Sequence, residues 1–113
     1  MSDCIFCRIA AGEIPSDIVH QDDDVVAFRD LSPQAPVHLL IIPRKHIASI
    51  NEAGDDDSAL LGRLLTTARR LAADHGVSEG YRLVNNCGAS AGQSVFHIHV
   101  HLLGGRPMNW PPG

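Results

Sequence analysis

The sequence predicts one small domain mixing helices and strands, its strands falling in two blocks on either side of a single long helix. Short β-branched or aromatic runs at Ile18–Gln21, Val25–Arg29 and residues 37–42 come first, and an amphipathic stretch over residues 58–75 follows. Two further extended runs, residues 81–85 and 97–103, close the pattern. At 113 residues and 44% hydrophobic, the chain suits one compact domain with a real core and leaves no room for a second, so residues 1–113 are read as a single domain.

Taken in order, residues 4–11 suit a short helix that Gly12 ends, with Ile5, Phe6 and Ile9 facing inward. Pro15 then forces an extended path. Ile18–Gln21 and Val25–Arg29 pair as a hairpin through Gln21-Asp22-Asp23-Asp24, because Asp suits turns and the flanks suit strands. Pro33 and Pro36 make residues 31–36 a loop, and the apolar run 37–42, with His38 inside it, is a buried strand that Pro43 stops. In the long helix Leu60, Leu61, Leu64, Leu65, Ala68, Leu71 and Ala72 recur at three- and four-residue steps. Asp55, Asp56 and Asp57 favour its positive N-terminal end, and Gly76 suits the reversal after it. A small-residue loop over 86–94 leads to the last strand. Aromatics are only 4% of the chain, so aliphatic packing dominates.

Charge and composition exclude several classes. A net charge of −4 with nine Lys plus Arg does not build the clustered cations a nucleic-acid surface needs, though a single phosphate group remains admissible. The longest apolar run, residues 39–42, is far too short to span a bilayer, and the aspartates before the long helix disfavour an anionic membrane surface. The N-terminus lacks the basic-then-apolar layout of a secretory signal, which points to the cytoplasm. Three cysteines, an odd number, fit reduced thiols or metal ligands better than a disulfide framework.

Chemistry concentrates at His97-Ile98-His99-Val100-His101. On a strand this alternation sets three imidazoles on one face, enough for a nucleophile, its orienting partner and a proton donor. Seven histidines shuffled over 113 residues give such a pattern in roughly one chain in forty, so a solvated His-rich face or a metal cluster competes with catalysis on the pattern alone. The preceding loop, Gly88-Ala89-Ser90-Ala91-Gly92-Gln93-Ser94, has the glycines that let backbone N–H groups turn toward a phosphate. Cys4 and Cys7 share one helix face and could supply two corners of a tetrahedral zinc site, or simply pack as small apolar groups. Cys87 is read as a free thiol, and His20, His75 and Trp110 as groups outside the chemistry.

Gly92-Gln93-Ser94-Val95-Phe96-His97-Ile98-His99-Val100-His101-Leu102-Leu103 resembles the signature of the histidine-triad (HIT) superfamily, most closely its nucleotide-binding branch. Further stretches in the same order support the resemblance: Glu13-Ile14-Pro15, Asp30-Leu31-Ser32-Pro33-Gln34-Ala35-Pro36-Val37-His38, Ile42-Pro43-Arg44-Lys45-His46-Ile47 and Trp110-Pro111-Pro112-Gly113. The resemblance implies an α+β, HIT-like fold: one antiparallel sheet with a short N-terminal helix and one long helix, the sheet continued across a homodimer. It implies a purine nucleotide ligand of the AMP or GMP type and hydrolysis of purine nucleoside phosphoramidates or related adenylates. His99 matches the nucleophile that becomes transiently nucleotidylated, His101 and His38 the supporting imidazoles, and Ser94 the residue near the leaving group; His97 completes the triad counted as catalytic. Asp30 and Leu31 match the ribose- and base-holding segment; Asn86, Gly92 and Gln93 match phosphate and ribose contacts; Ile5, Phe6, Ile9 and Phe28 would line the base pocket. Bacterial members of this kind hold a structural zinc through the cysteine pair and two histidines, here His46 and His97. The terminal tail is expected to influence substrate choice in the partner's site.

The steps themselves are chemically sufficient without a metal: a neutral imidazole held in line turns one slow hydrolysis into two displacements, and a proton delivered from His101 or Ser94 helps an amine leave. Hydrolysis of a dinucleoside polyphosphate is the alternative within enzymology. A nucleotide-binding regulatory protein with incidental hydrolysis, or a zinc-storing protein, is the alternative outside it.

Overall fold

A computed structural model describes residues 3–113. Helix α1 (Ile5–Ala10) is followed by β1 (Ile18–Gln21), β2 (Val25–Arg29) and β3 (Val37–Pro43), then α2 (Ser58–Asp74), β4 (Tyr81–Val84) and β5 (Val100–Gly104). The strands form one antiparallel sheet in the order β1-β2-β3-β5-β4, as the α+β expectation requires.

Alternation along the strands divides the sheet into two faces, each with its own core. Val25, Ala27, Leu39, Ile41, Val100 and Leu102 pack against Leu64, Ala68, Leu71 and Ala72 of α2. Val26, Phe28, Leu40 and Ile42 on the opposite face pack against Phe6 and Ile9 of α1. β3 is therefore buried on both sides, which explains its unbroken apolar run. His38 and His101 have the parity of the α1 face: Leu40 pairs with His101 and His38 with Leu103 across the β3–β5 ladder. Two imidazoles on neighbouring strands, offset diagonally by one pair, are thus brought together by register alone.

The hairpin turn is built by Asp22, whose Oδ1 accepts the N–H groups of Asp24 (2.8 Å) and Val25 (2.9 Å). Its Oδ2 accepts from Arg63 of α2 (2.9 Å) and lies 2.8 Å from His20 Nε2, so His20 is tied to the turn. Residues Asp55–Asp57 form a 3-10 turn ahead of α2, where Asp57 Oδ2 accepts the Gly54 N–H and Lys45 Nζ reaches Asp57 Oδ1 at 2.6 Å.

Three expectations change. Ile5 points outward, 48% exposed, because a helix of six residues presents one narrow stripe and Phe6 and Ile9 occupy it. Leu65 is likewise on the outer face of α2. The last strand begins at Val100, so His97 and His99 precede it and the triad does not lie along one strand. Pro43 offers no N–H to extend the β3–β5 ladder, and the Ile98 N–H bonds instead to the Ile47 carbonyl at 2.7 Å.

Candidate active site

Because residues 97–99 leave the ladder, the triad splits. His99 and His101 stay together with ring centroids 5.1 Å apart, whereas His97 packs against His46 at 5.0 Å. Phe6 stands edge-on to both His97 (6.0 Å) and His99 (5.1 Å), and its other edge contact is Phe28 at 5.4 Å.

Hydrogen-bond partners assign each tautomer, since a carbonyl can only accept and a backbone N–H can only donate. His99 Nδ1–H donates to the His97 carbonyl at 2.7 Å, which leaves the lone pair on Nε2. The Gln34 N–H donates to His38 Nδ1 at 3.0 Å, so neutral His38 carries its proton on Nε2 and donates to His101 Nδ1 at 2.9 Å. His101 therefore carries its proton on Nε2. The site pairs one imidazole that has an unprotonated Nε2 with another that carries a donor Nε2–H.

Burial keeps this relay uncharged. Desolvation pushes His101 down to about 4, with the neighbouring His99 and His38 adding to the shift and Asp30 opposing it. Desolvation also lowers His38, against the pull of Asp30, whose Oδ2 lies 3.5 Å from His38 Nε2. At neutral pH His101 is consequently a neutral hydrogen-bond donor and not an imidazolium acid.

The loop before the triad turns at Gly88 (φ +92°) and Gly92 (φ +97°), conformations glycine adopts without strain. Its amides are largely spent internally: Gly92 N–H bonds to Ala89 O, Gln93 N–H to Gly88 O, and Gly88 N–H to Gln93 Oε1. The Gln93 side chain is a buried brace, its Nε2 also donating to Ala48 O (2.7 Å) and Val95 O (3.1 Å). The Gly92 and Gln93 amides are thus engaged within the loop, and of the three residues 92–94 Ser94 keeps the N–H not committed to it. Asn86 lies beside Gly92, its amide 3.7 Å from where a Cβ there would sit.

Phe6, Ile9 and Phe28 are buried in the α1-side core, while Ile5 stands at its solvent margin. Asp30 anchors the following loop by accepting the Ser32 N–H at 2.7 Å. Leu31 is 97% exposed, so any contact it makes with a ligand is made from outside the fold. Asn85 carried no sequence signal, yet its Nδ2 donates to the His99 carbonyl at 2.8 Å and holds the backbone of that residue from just beyond β4. Gln34 and Pro43 also act through backbone atoms, which no side-chain motif reveals.

His97 belongs to a second cluster. Its Nε2–H donates to the Pro43 carbonyl at 2.7 Å, which turns the lone pair of Nδ1 toward Cys4 Sγ (3.3 Å), Cys7 Sγ (3.4 Å) and His46 Nδ1 (3.2 Å). Cys7 Sγ is also 3.4 Å from His46 Nδ1, and all four ligand atoms lie within 4.8 Å of one another. Zinc, with bonds of about 2.0 Å to nitrogen and about 2.3 Å to sulfur, sets its tetrahedral ligand atoms about 3.3–3.8 Å apart, so this donor set fits it. Both His97 nitrogens are engaged away from His101. Cys87 is half-buried outside both clusters; His75 caps the end of α2 through the Leu71 carbonyl (2.9 Å); Trp110 is 82% exposed.

The comparisons agree with this architecture. The HIT domain pattern matches residues 11–108. An uncharacterized HIT-like protein of Synechococcus elongatus is 55% identical, over 98% of this chain and 97% of its own. The crystal structure of a HIT family hydrolase from Legionella pneumophila superposes with a TM-score of 0.97 at 60% identity, covering 98% of this chain and all of that one. A histidine triad nucleotide-binding protein from Candida albicans superposes with a TM-score of 0.82 at 34% identity, over 96% of this chain and 83% of that one. With its signature histidines, its sheet order and these relatives in agreement, the chain belongs to the HIT family.

Proposed function

We propose that the protein hydrolyses purine nucleoside phosphoramidates and related adenylates through a covalent nucleotidyl intermediate on His99. The observation that carries this reading is the tautomer chain: His99 presents an unprotonated Nε2, and two bonds from Gln34 through His38 fix a donor on His101 Nε2 beside it. A nucleophile and a donor 5.1 Å apart, ring to ring, suit attack at phosphorus with one non-bridging oxygen held.

In the first step His99 Nε2 forms a bond to the α-phosphorus as the P–N bond breaks. The His101 Nε2–H and the Ser94 N–H hold phosphoryl oxygens, and the Ser94 hydroxyl relays a solvent proton to the departing amine, taking one up from water as it gives one. In the second step water attacks the phosphorus, His99 leaves as neutral imidazole, and the proton released by water returns to solvent. One water is consumed per turnover. Phe6, Ile9 and Phe28 offer the apolar wall for a purine base, with Asp30 and Leu31 at the ribose side and Asn86 beside the phosphate turn.

We also propose a structural zinc at Cys4, Cys7, His46 and His97, supported by the donor spacing. Bound there, the ion supplies a crosslink between α1, the segment after β3 and the triad, and no step of the hydrolysis runs through it. A homodimer is proposed on the resemblance and on β4 standing at an edge of the sheet, where a second copy can continue it. Reduced thiolate ligands suit a cytoplasmic setting, and no described helix is long and apolar enough to cross a membrane.

Intact-mass spectrometry of protein quenched during turnover of adenosine phosphoramidate tests the reading. One added nucleotide is expected on the parent and none on His99→Ala; an adduct that survives that substitution refutes the assignment.

A further inference from the structure

Cys4 and Cys7, proposed above as metal ligands, also stand where they can bond to each other. Residues three apart on a helical turn lie about 5–6 Å from one another, inside the separation of about 4.4–6.8 Å that a disulfide bridges. Cys4 caps α1 with extended backbone (φ −77°, ψ 117°), and its Sγ folds back over the first turn to accept the Cys7 N–H at 3.4 Å. Both sulfurs face one nitrogen, His97 Nδ1, at 3.3 and 3.4 Å. Tetrahedral zinc keeps two thiolate sulfurs about 3.8 Å apart and a disulfide holds them at about 2.05 Å, so the pair can serve the ion or the bond but not both. Access separates this cluster from a shielded one: Cys4, Cys7 and His46 line an open cleft of about 580 Å³.

We propose that Cys4 and Cys7 form a peroxide-sensitive switch, in which their oxidation to a disulfide releases the ion and loosens the hold on His99. The inference rests on the zinc and hydrolase readings above and adds a control that neither contains. A thiolate is the form that attacks an oxidant, and a second cysteine beside it resolves the product before oxidation goes further. Cys7, whose Sγ meets His46 Nδ1 at 3.4 Å on the exposed side of the cluster, attacks the peroxide. An S–O bond forms as the O–O bond breaks, one oxygen departs as hydroxide, and Cys7 becomes a sulfenic acid. The Cys4 thiolate then attacks that sulfur, the S–S bond forms, and the second oxygen departs as hydroxide. Two electrons pass from the two sulfurs to one peroxide, and the four-donor set is reduced to two imidazoles. Two links carry the change to the triad. His97 belongs to the donor set, and its carbonyl accepts the His99 Nδ1–H at 2.7 Å. Phe6, which lies between the cysteines in the chain, stands edge-on to His97 at 6.0 Å and to His99 at 5.1 Å, so drawing residues 4 and 7 together moves its ring against both.

Hydrogen peroxide added to the reduced, zinc-loaded protein, with a colorimetric chelator reporting free zinc, decides the matter. Zinc should be released as the thiol count falls from three to one, Cys87 being the thiol that survives. Peptide mapping should find Cys4 joined to Cys7, and the intact mass should lie two hydrogens below that of the reduced, metal-free chain. Adduct formation from adenosine phosphoramidate should slow about tenfold or more as the nucleophile loses its alignment, and dithiothreitol with zinc should restore it. The His99 Nδ1–H resonance, read by nitrogen-15 NMR, should shift between the two states. Cys87→Ser should respond as the parent does. Zinc retained under peroxide, zinc lost with a sulfinate in place of the Cys4–Cys7 bond, or an oxidised protein whose His99 resonance and adduct rate equal those of the reduced one would overturn the switch. Reduced protein that takes up no zinc would refute the zinc reading and the switch together. Reduced protein that turns over no phosphoramidate would refute the hydrolase reading alone, and zinc release, crosslink and the His99 resonance would then decide the switch.

Discussion

Replacing His38 with Phe tests the relay where it is most exposed to refutation. In the proposed reaction His38 touches neither the nucleophile nor the leaving group; it acts through the 2.9 Å bond that makes His101 Nδ1 an acceptor and so keeps the His101 proton on Nε2. A phenyl ring fills similar space but donates nothing, so His101 is free to move its proton to Nδ1 and turn a lone pair toward the substrate. The transition state then loses a hydrogen bond to a charged phosphoryl oxygen, an interaction of about 1.5–3 kcal/mol, which corresponds to about 10- to 150-fold in kcat/KM. Stability falls less, by about 1–2 kcal/mol, because one partly buried acceptor loses its donor. His38→Gln, whose amide can still donate to His101, should recover most of the activity. Rapid-quench measurement of adduct formation gives the rate, and nitrogen-15 NMR of the His101 ring gives the tautomer. Activity of His38→Phe within about twofold of the parent, or a His101 proton still on Nε2, would refute the positioning role.

Two other perturbations follow from the same geometry. His101 titrates near 4 in the fold against 6.5 ordinarily, and His38 is also lowered, so between these values the unfolded chain binds more protons; stability is full above pH 6.5 and lost as pH falls toward 4. Urea unfolding across that interval should show the decline, and His101→Gln should flatten it; an unchanged slope in that variant removes the assignment. Cys7→Ser takes one donor from the four-ligand cluster and loosens His97, whose carbonyl holds His99. Metal at 100 to 1,000 times its dissociation constant stabilises by about 3–4 kcal/mol, so Cys7→Ser or chelation of the parent should lower Tm by about 10 °C or more. A Tm that chelation does not move would exclude the structural zinc.

Local pattern carried most of the elements. The hairpin strands were legible to the residue because Asp-rich turn chemistry and β-branched flanks act over a few neighbours. The long helix was legible from its period and flanks, though the period could not say that Leu65 lies on the outer edge of the apolar stripe while the smaller Ala68 and Ala72 are enclosed. At the site, the candidate residues were legible by type and order. The expectation that failed was the strand through all three histidines, because alternation in sequence is necessary for a strand but the ladder needs donors on the partner, and Pro43 has none.

What the chain determined by itself was its inventory: which segments are apolar on one side, where turns fall, and which groups can ligate a metal or attack phosphorus. Tertiary structure alone decided how that inventory divides. Register across β3 and β5 joined His38 to His101, a carbonyl from Pro43 turned His97 toward the cysteines, and a carbonyl from His97 set the reactive nitrogen of His99. An imidazole has two nitrogens and no preference in sequence for either; only a partner many residues away, fixed by the packed sheet, determines which one carries the proton.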